Sequence, residues 1–167
     1  MSRNITYLGL WIAISFVVSI IFHQFSMVVG QMLLPLHFVV LLAGGISGPT
    51  IGSITGLVSP LLTAVLFGRP PLQPPIAIFM ALELMAYGLT MGLMRKKNLY
   101  LAVAISWIPG RVIYGIGILL IAPMLGIQMG GFQSLIVSFA MGIPGIILQL
   151  WLIPTIIKRV PESSVNI

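Results

Sequence analysis

Apolar residues run in six long blocks separated by short breaks rich in glycine, proline or charge, at about 5–24, 34–47, 50–68, 75–94, 99–122 and 132–157. Runs such as WIAISFVVSIIF and GIILQLWLIPTII are continuous. They predict helices, because the strands of a membrane barrel alternate in polarity over segments of roughly ten residues. The second block is short for a full crossing and is bounded by Pro35 and Pro49, so a tilted or partly re-entrant helix is expected there. The expected fold is an all-α integral membrane protein, one domain over residues 1–167 with six transmembrane helices.

Composition agrees with this pattern. With 59% apolar and only 6% charged residues, the chain lacks the polar groups to clothe a water-soluble globule. Arg3, the Arg95-Lys96-Lys97 cluster and the Lys158-Arg159 pair fall at one end of the six predicted rods, while the opposite connections (23–33, 69–74 and 123–131) carry only Arg69 and His23. Basic residues favour the cytoplasmic side, so both termini are expected in the cytoplasm. The net charge of +6 therefore reads as a topology signal, with no nucleic-acid partner. Residues 1–24 also resemble a secretory leader in having Arg3 ahead of an apolar run. The run is long, however, and HQFSMVVGQ offers no small-x-small cleavage site, so a first crossing is expected.

The inventory of reactive groups is short. There is no Cys and no Asp, only two Glu (Glu83, Glu162) and two His (His23, His37), and no GxxxxGK[ST]. The chain has no parts for nucleotide hydrolysis or thiol chemistry, and two histidines fourteen apart make poor metal ligands. No metal and no cofactor in this chain is expected, nor an enzymatic activity.

Polar groups at membrane depth are costly and mark the place to look. Glu83 lies twelve residues before Arg95 and Arg111 fourteen after Lys97, which puts both about 18–21 Å above the basic end on consecutive antiparallel helices. They are expected to pair or to share a cavity. Tyr87 falls one turn from Glu83, and Trp107 and Tyr114 one turn either side of Arg111, so aromatic rings share those faces. Gln149, with Gly145 and Met141 above it, sits about 13 Å above Lys158 and needs a hydrogen-bond partner, either another helix or a ligand. In the outer connections, Gln31 and His37 flank Pro35, and GRPPLQPP holds Arg69 and Gln73 in a stiff segment. These form an expected rim and lid.

Small residues also recur at helical spacing. Gly44, Gly48, Gly52 and Gly56 predict close backbone approach, and Gly9 with Ala13, or Ser15 with Ser19, predict packing stripes on the first helix.

In their order along the chain, LPLHFVVLLAGGISGP, PPLQPPIAIFMALELMAYG and GRVIYG resemble the S components, the substrate-capture subunits, of energy-coupling factor (ECF) vitamin transporters of bacteria and archaea. The resemblance covers nearly the whole chain. It implies an S-component-like bundle in a prokaryotic plasma membrane, with a micronutrient bound between the outer loops and the outward ends of the last three helices. It also implies a membrane T protein and two ATPases as partners, ATP being used by those partners. A small-residue AxxxA-like motif on the first helix meets the T protein in such proteins. The matching stretch here is Gly9-xxx-Ala13 with Val17 one turn further, a departure from strict alanine. The implied mechanism is rotation of the whole loaded subunit in the membrane.

Since Glu83 and Arg111 cancel, a neutral or zwitterionic ligand is expected unless Arg69 also turns inward. A flat ring on Trp107 and Tyr114, with Glu83 and Gln149 reading hydroxyl or amino groups, points to a pyridine or pyrimidine vitamin or precursor, such as pyridoxine or hydroxymethylpyrimidine. Pantothenate, riboflavin-like ligands and a queuosine precursor are further candidates. The competing reading is an autonomous secondary carrier or channel, which usually shows repeated halves and several titratable groups in the core.

Overall fold

A computed structural model describes residues 2–25 and 27–161. The side-chain surroundings of residues 2, 3, 23–25 and 27 lie outside that description, and with them the expectations on Arg3 and His23; Glu162 and the tail lie outside it altogether. The helices are α1 (Ser2–Phe25), α2 (Met27–Leu33), α3 (Pro35–Ser47), α4 (Pro49–Phe67), α5 (Ile76–Met94), α6 (Leu99–Ile116), α7 (Ala122–Met124) and α8 (Gly131–Ile157). A wider π-type turn, Gly117–Ile121, joins α6 to α7. Among the described residues there are six helical stretches long and apolar enough to cross a bilayer.

The second crossing differs from the sequence expectation. It is not a short rod bounded by Pro35. It runs from Val28 to Ser47, so the expected outer connection 23–33 is largely helical. Two helices share this crossing because proline disfavours helical geometry in the residue before it, and Leu34 takes up a left-handed conformation (φ 53°, ψ 55°). The break is held from across the bundle. Gln149 Nε2 on α8 donates to the Leu33 and Leu34 carbonyls at 3.1 and 3.2 Å. Backbone polar groups in lipid need such internal partners.

The bundle is built around a seam of glycines. A Cβ on Gly44 or Gly52 would collide with the Gly88 carbonyl, one on Gly56 with the Leu84 carbonyl, and one on Gly92 with Pro49. Helices α3, α4 and α5 therefore touch backbone to backbone. The spacing of Gly44, Gly52 and Gly56 signalled one side of this seam, and Gly88 and Gly92 on α5 complete it. Apolar rods in lipid gain little from mutual hydrophobicity, so close van der Waals contact of this kind supplies much of their association.

Helix α1 packs on α3 and α4 through Trp11, Ser15 and Ser19, all buried. Trp11 Nε1 donates to Ser47 Oγ at 2.7 Å, and Ser15 Oγ donates to the Trp11 carbonyl at 2.8 Å. Its other face is bare: Gly9, Ala13 and Val17 are exposed, and a Cβ on Gly9 would meet nothing within 4 Å. The serine stripe is thus internal packing, and the Gly9–Ala13 stripe is external.

The basic end is ordered by local bonds. Arg95 Nη1 donates to the Ile46 carbonyl at 3.0 Å, a cation at the carbonyl end of α3. Asn98 caps α6 by accepting from the Tyr100 and Leu101 amides, and Lys158 Nζ lies 5.0 Å from the Tyr100 ring centroid. Six crossings return the chain to the side where it started.

The seam generates a stability prediction. Gly88→Ala places a methyl group into backbone and should destabilise by about 1–3 kcal/mol, whereas Gly9→Ala should leave stability unchanged or raise it by up to about 1 kcal/mol through helix propensity. Thermal unfolding of the two variants in detergent checks the contrast.

Candidate ligand-binding cavity

A cavity of about 840 Å³ lies at the end of the bundle opposite the basic cluster. Its rim comes from three places: Gln31 on α2, Gly68 to Pro71 after α4, and Gly130 with Gln133 and Ser134 at the start of α8. Its deeper wall is made of Leu34, Pro35, Leu36, His37, Met80, Glu83, Arg111, Tyr114 and Met141. The volume suits a small organic molecule.

The rim is stiff for reasons visible in its composition. Gly68, in the left-handed region (φ 67°), ends α4 with its amide on the Ala64 carbonyl. The chain then runs through Pro70, Pro71, Pro74 and Pro75 before α5, and the Ala77 amide donates to the Pro71 carbonyl at 3.0 Å. The backbone that carries Arg69 is thereby held over the mouth.

The deep wall is organised by one ion pair. Arg111 Nη1 stands 3.2 Å from Glu83 Oε1, and the Tyr87 hydroxyl donates to the same oxygen at 2.6 Å. The Glu83 side chain is 2% exposed and that of Arg111 16%. Trp107 and Phe139 place their rings 5.5 and 5.6 Å from the Arg111 guanidinium carbon, so π faces cover the cation where solvent is absent. His37 lies parallel to Trp107 at 5.5 Å with 6° between the planes, and Tyr87 tilts against both.

Hydrogen-bonding capacity is left over at this wall. Both ring nitrogens of His37, Nε1 of Trp107 and Nε of Arg111 are buried and have no partner among the described residues. For His37, which lines the cavity at 4% exposure, this is a group able to donate to or accept from an enclosed molecule. Among the described residues no three His, Cys, Asp or Glu side chains group to hold a metal.

The structure sorts the sequence candidates. It brings Glu83, Arg111, Tyr114, His37, Gln31 and Arg69 to one cavity lining. Tyr87 and Trp107 stand behind that lining, because Glu83 and Arg111 occupy the cavity side of their helices and His37 covers the Trp107 ring. Gln149 is committed to the α2–α3 break and is likewise not in the lining. Gln73 is exposed and outside the lining, one residue ahead of the paired prolines that lead into α5.

Sequence reasoning missed Gln133, Ser134 and Ser138. The signal was present: Ser134, Ser138, Met141, Gly145 and Gln149 recur at three- and four-residue spacing down one face of α8. A polar stripe on an otherwise apolar helix marks its inward side.

Comparison with known families gives one match, over residues 3–157, to the family described as ECF transporter, substrate-specific component. No curated protein and no solved structure matches the chain.

A thermodynamic test of the ion pair follows from its burial. Arg111→Leu leaves the Glu83 carboxylate buried without its cation and should destabilise by about 3–5 kcal/mol, while Glu83→Leu/Arg111→Leu should recover most of that loss. Thermal unfolding of the single and double variants in one detergent measures the recovery.

Proposed function

Since the chain belongs to the family of ECF transporter substrate-specific components, we propose that it captures a small vitamin or vitamin precursor outside the cell and carries it inward as the substrate subunit of an ATP-driven importer. Members of this family are substrate-binding transport subunits, multi-pass in the membrane, that work with a T protein and ATPases. The chain's place is then the plasma membrane of a prokaryote. The observation that carries the proposal is the cavity: about 840 Å³, opposite the basic end, with a buried ion pair and an unpartnered imidazole in its wall.

In this reading Glu83, through the oxygen that Arg111 and Tyr87 leave available, and His37 through its ring nitrogens read the polar groups of the ligand. Tyr114, and not Trp107, supplies the aromatic face. A flat pyridine or pyrimidine ring of the kind found in pyridoxine and hydroxymethylpyrimidine suits such a wall. Gln31 and Arg69 close the mouth. Tyr87, Trp107 and Gln149 act from behind, fixing Glu83, Arg111 and the Leu34 break where a ligand meets them.

The bare face of α1 is the proposed contact for the T protein. Gly9, Ala13 and Val17 are exposed along one stripe, and Val17 is 53% exposed. Small residues let a partner helix approach closely, and nothing in the cavity depends on them. The exterior suits motion of the whole subunit as well. A charge at mid-bilayer costs at least about 2.5–3.5 kcal/mol, and the charged pair of the spans is turned inward.

Reconstituted by itself in vesicles, the protein should bind a vitamin from outside without ATP-dependent accumulation, and adding the T protein and ATPases should restore uptake. Concentrative uptake by the isolated chain would refute the reading in favour of an autonomous carrier. Ala13→Leu should lower uptake by the assembled complex at least tenfold and leave ligand affinity of the isolated subunit within about threefold, because bulk on that stripe blocks helix approach. Loss of affinity ahead of uptake would move the interface elsewhere.

A further inference from the structure

A polar atom sealed inside a protein without a partner costs most of the hydration it has lost, so buried polar groups are nearly always bonded. His37 departs from this twice. Its ring is 4% exposed, and neither Nδ1 nor Nε2 has a partner among the described residues. The ring is nevertheless held: Trp107 lies parallel to it at 5.5 Å with 6° between the planes, and Tyr87 tilts against it at 5.5 Å and 46°. Neither contact uses a nitrogen, so an apolar ring would stack there as well. Packing accounts for a ring at position 37 and leaves its two nitrogens without a task. Trp107 Nε1 and Gln149 Oε1 are also unpartnered, but behind the lining, and Arg111 Nε belongs to a side chain already committed to Glu83. His37 lines the cavity and is committed to nothing.

The charges beside it are balanced. The tyrosine whose ring meets His37 donates to Glu83 Oε1 at 2.6 Å, and Arg111 Nη1 stands 3.2 Å from the same oxygen. His37 and Glu83 are therefore neighbours across Tyr87, and Glu83 Oε2 receives neither of those bonds. Arg69, the remaining charged residue of the lining, is exposed at the rim, where water screens it. An ionised acid at the deep wall would meet the Glu83 carboxylate with no cation left to match it, and an ammonium would stand beside Arg111 with no anion left. The wall suits a group without charge. A carboxylate oxygen only accepts, so that group must donate, whereas an uncharged imidazole has one N–H and one lone pair and can take either role.

We infer that the deep wall is a subsite for an uncharged head that donates to Glu83 and bonds His37, such as a hydroxymethyl, carboxamide or ring amino group, and that His37 is the residue that makes the site selective for it. This rests on the capture reading and narrows its ligand to molecules whose buried end is neutral and bears an O–H or N–H. Selectivity comes from the atoms left unmatched. A ligand with a methyl group in place of the donor leaves His37 and Glu83 unpaired in a closed site, and rejection on that ground is far stronger than a hydrophobic pocket obtains from size. The unpartnered nitrogens weaken the unliganded fold, and a ligand that satisfies them recovers the loss as affinity.

The experiment has two readouts on the purified full chain. Thermal unfolding without ligand compares the parent with His37→Phe and His37→Leu, two apolar replacements of different shape. At least one should unfold at or above the parent temperature, because it deletes buried polar atoms that bond nothing. If both unfold earlier, the nitrogens serve the fold and the inference falls, whatever binds. Calorimetry then takes two triplets, pyridoxine with deoxypyridoxine and pyridoxate, and nicotinamide with acetylpyridine and nicotinate; in each, the second member lacks a donor and the third carries an ionised acid. In a triplet that binds, the first member should exceed each of the others by at least about tenfold, and its preference over the donor-less analogue should fall below about threefold in His37→Phe. His37→Gln, which keeps a donor and an acceptor, should retain the preference. A donor-less or acidic analogue that binds as tightly as its parent compound, or a preference unchanged in His37→Phe, overturns the inference and leaves capture intact. Failure of all six compounds to bind overturns the reading of the cavity as a pyridine site, and this inference with it.

Discussion

A carboxylate and a guanidinium held in hydrocarbon surroundings set the terms for the rest of this molecule. Burying the charge of either Glu83 or Arg111 without the other is costly, and even paired they need further hydrogen bonds and polarisable faces around them. The Tyr87 hydroxyl and the Trp107 and Phe139 rings supply these. To bring the two charges to 3.2 Å, α5 and α6 must be in register at the depth of both residues. The pair therefore fixes how two crossings align and, because it faces the cavity, what a ligand meets there.

Two kinds of contact hold the bundle around that point. Toward the basic end, α3, α4 and α5 close on one another through glycines, leaving no room for adjustment. Toward the mouth, the wall includes a broken crossing at Leu34 and a rim of prolines. These departures from regular helix coincide with the cavity. Irregular backbone is tolerated at membrane depth where it is buried in protein or lines a hollow, and here it does both.

Much of this was legible in the residues. The apolar runs specify six crossings, and counting from the basic clusters put Glu83 and Arg111 at one depth, because helix rise is nearly constant. The fate of Trp107, Tyr87 and Gln149 was not legible. Helical spacing says which residues share a face, but it does not say which of them reaches the hollow and which stands behind another side chain. His37 lies over Trp107 only because the Leu34 break sets the direction of α3, and that break is a backbone event in an apolar stretch. The helical character of residues 27–33 was hidden for the same reason: Pro35 reads as a boundary, and the left-handed residue that lets a second helix precede it leaves no mark of its own in composition.

The vertical separation between the glycine seam and the cavity has an evolutionary implication. Gly44 and Gly88 lie seven and five residues further toward the basic end than His37 and Glu83, a layer roughly 8–10 Å away. Mutations at the mouth therefore leave the Gly44–Gly88 and Gly92–Pro49 contacts untouched, whereas the Gly56–Leu84 contact and the Glu83–Arg111 pair tie the deep wall to the scaffold. A lineage built on this plan can diversify its cargo while inheriting its architecture unchanged.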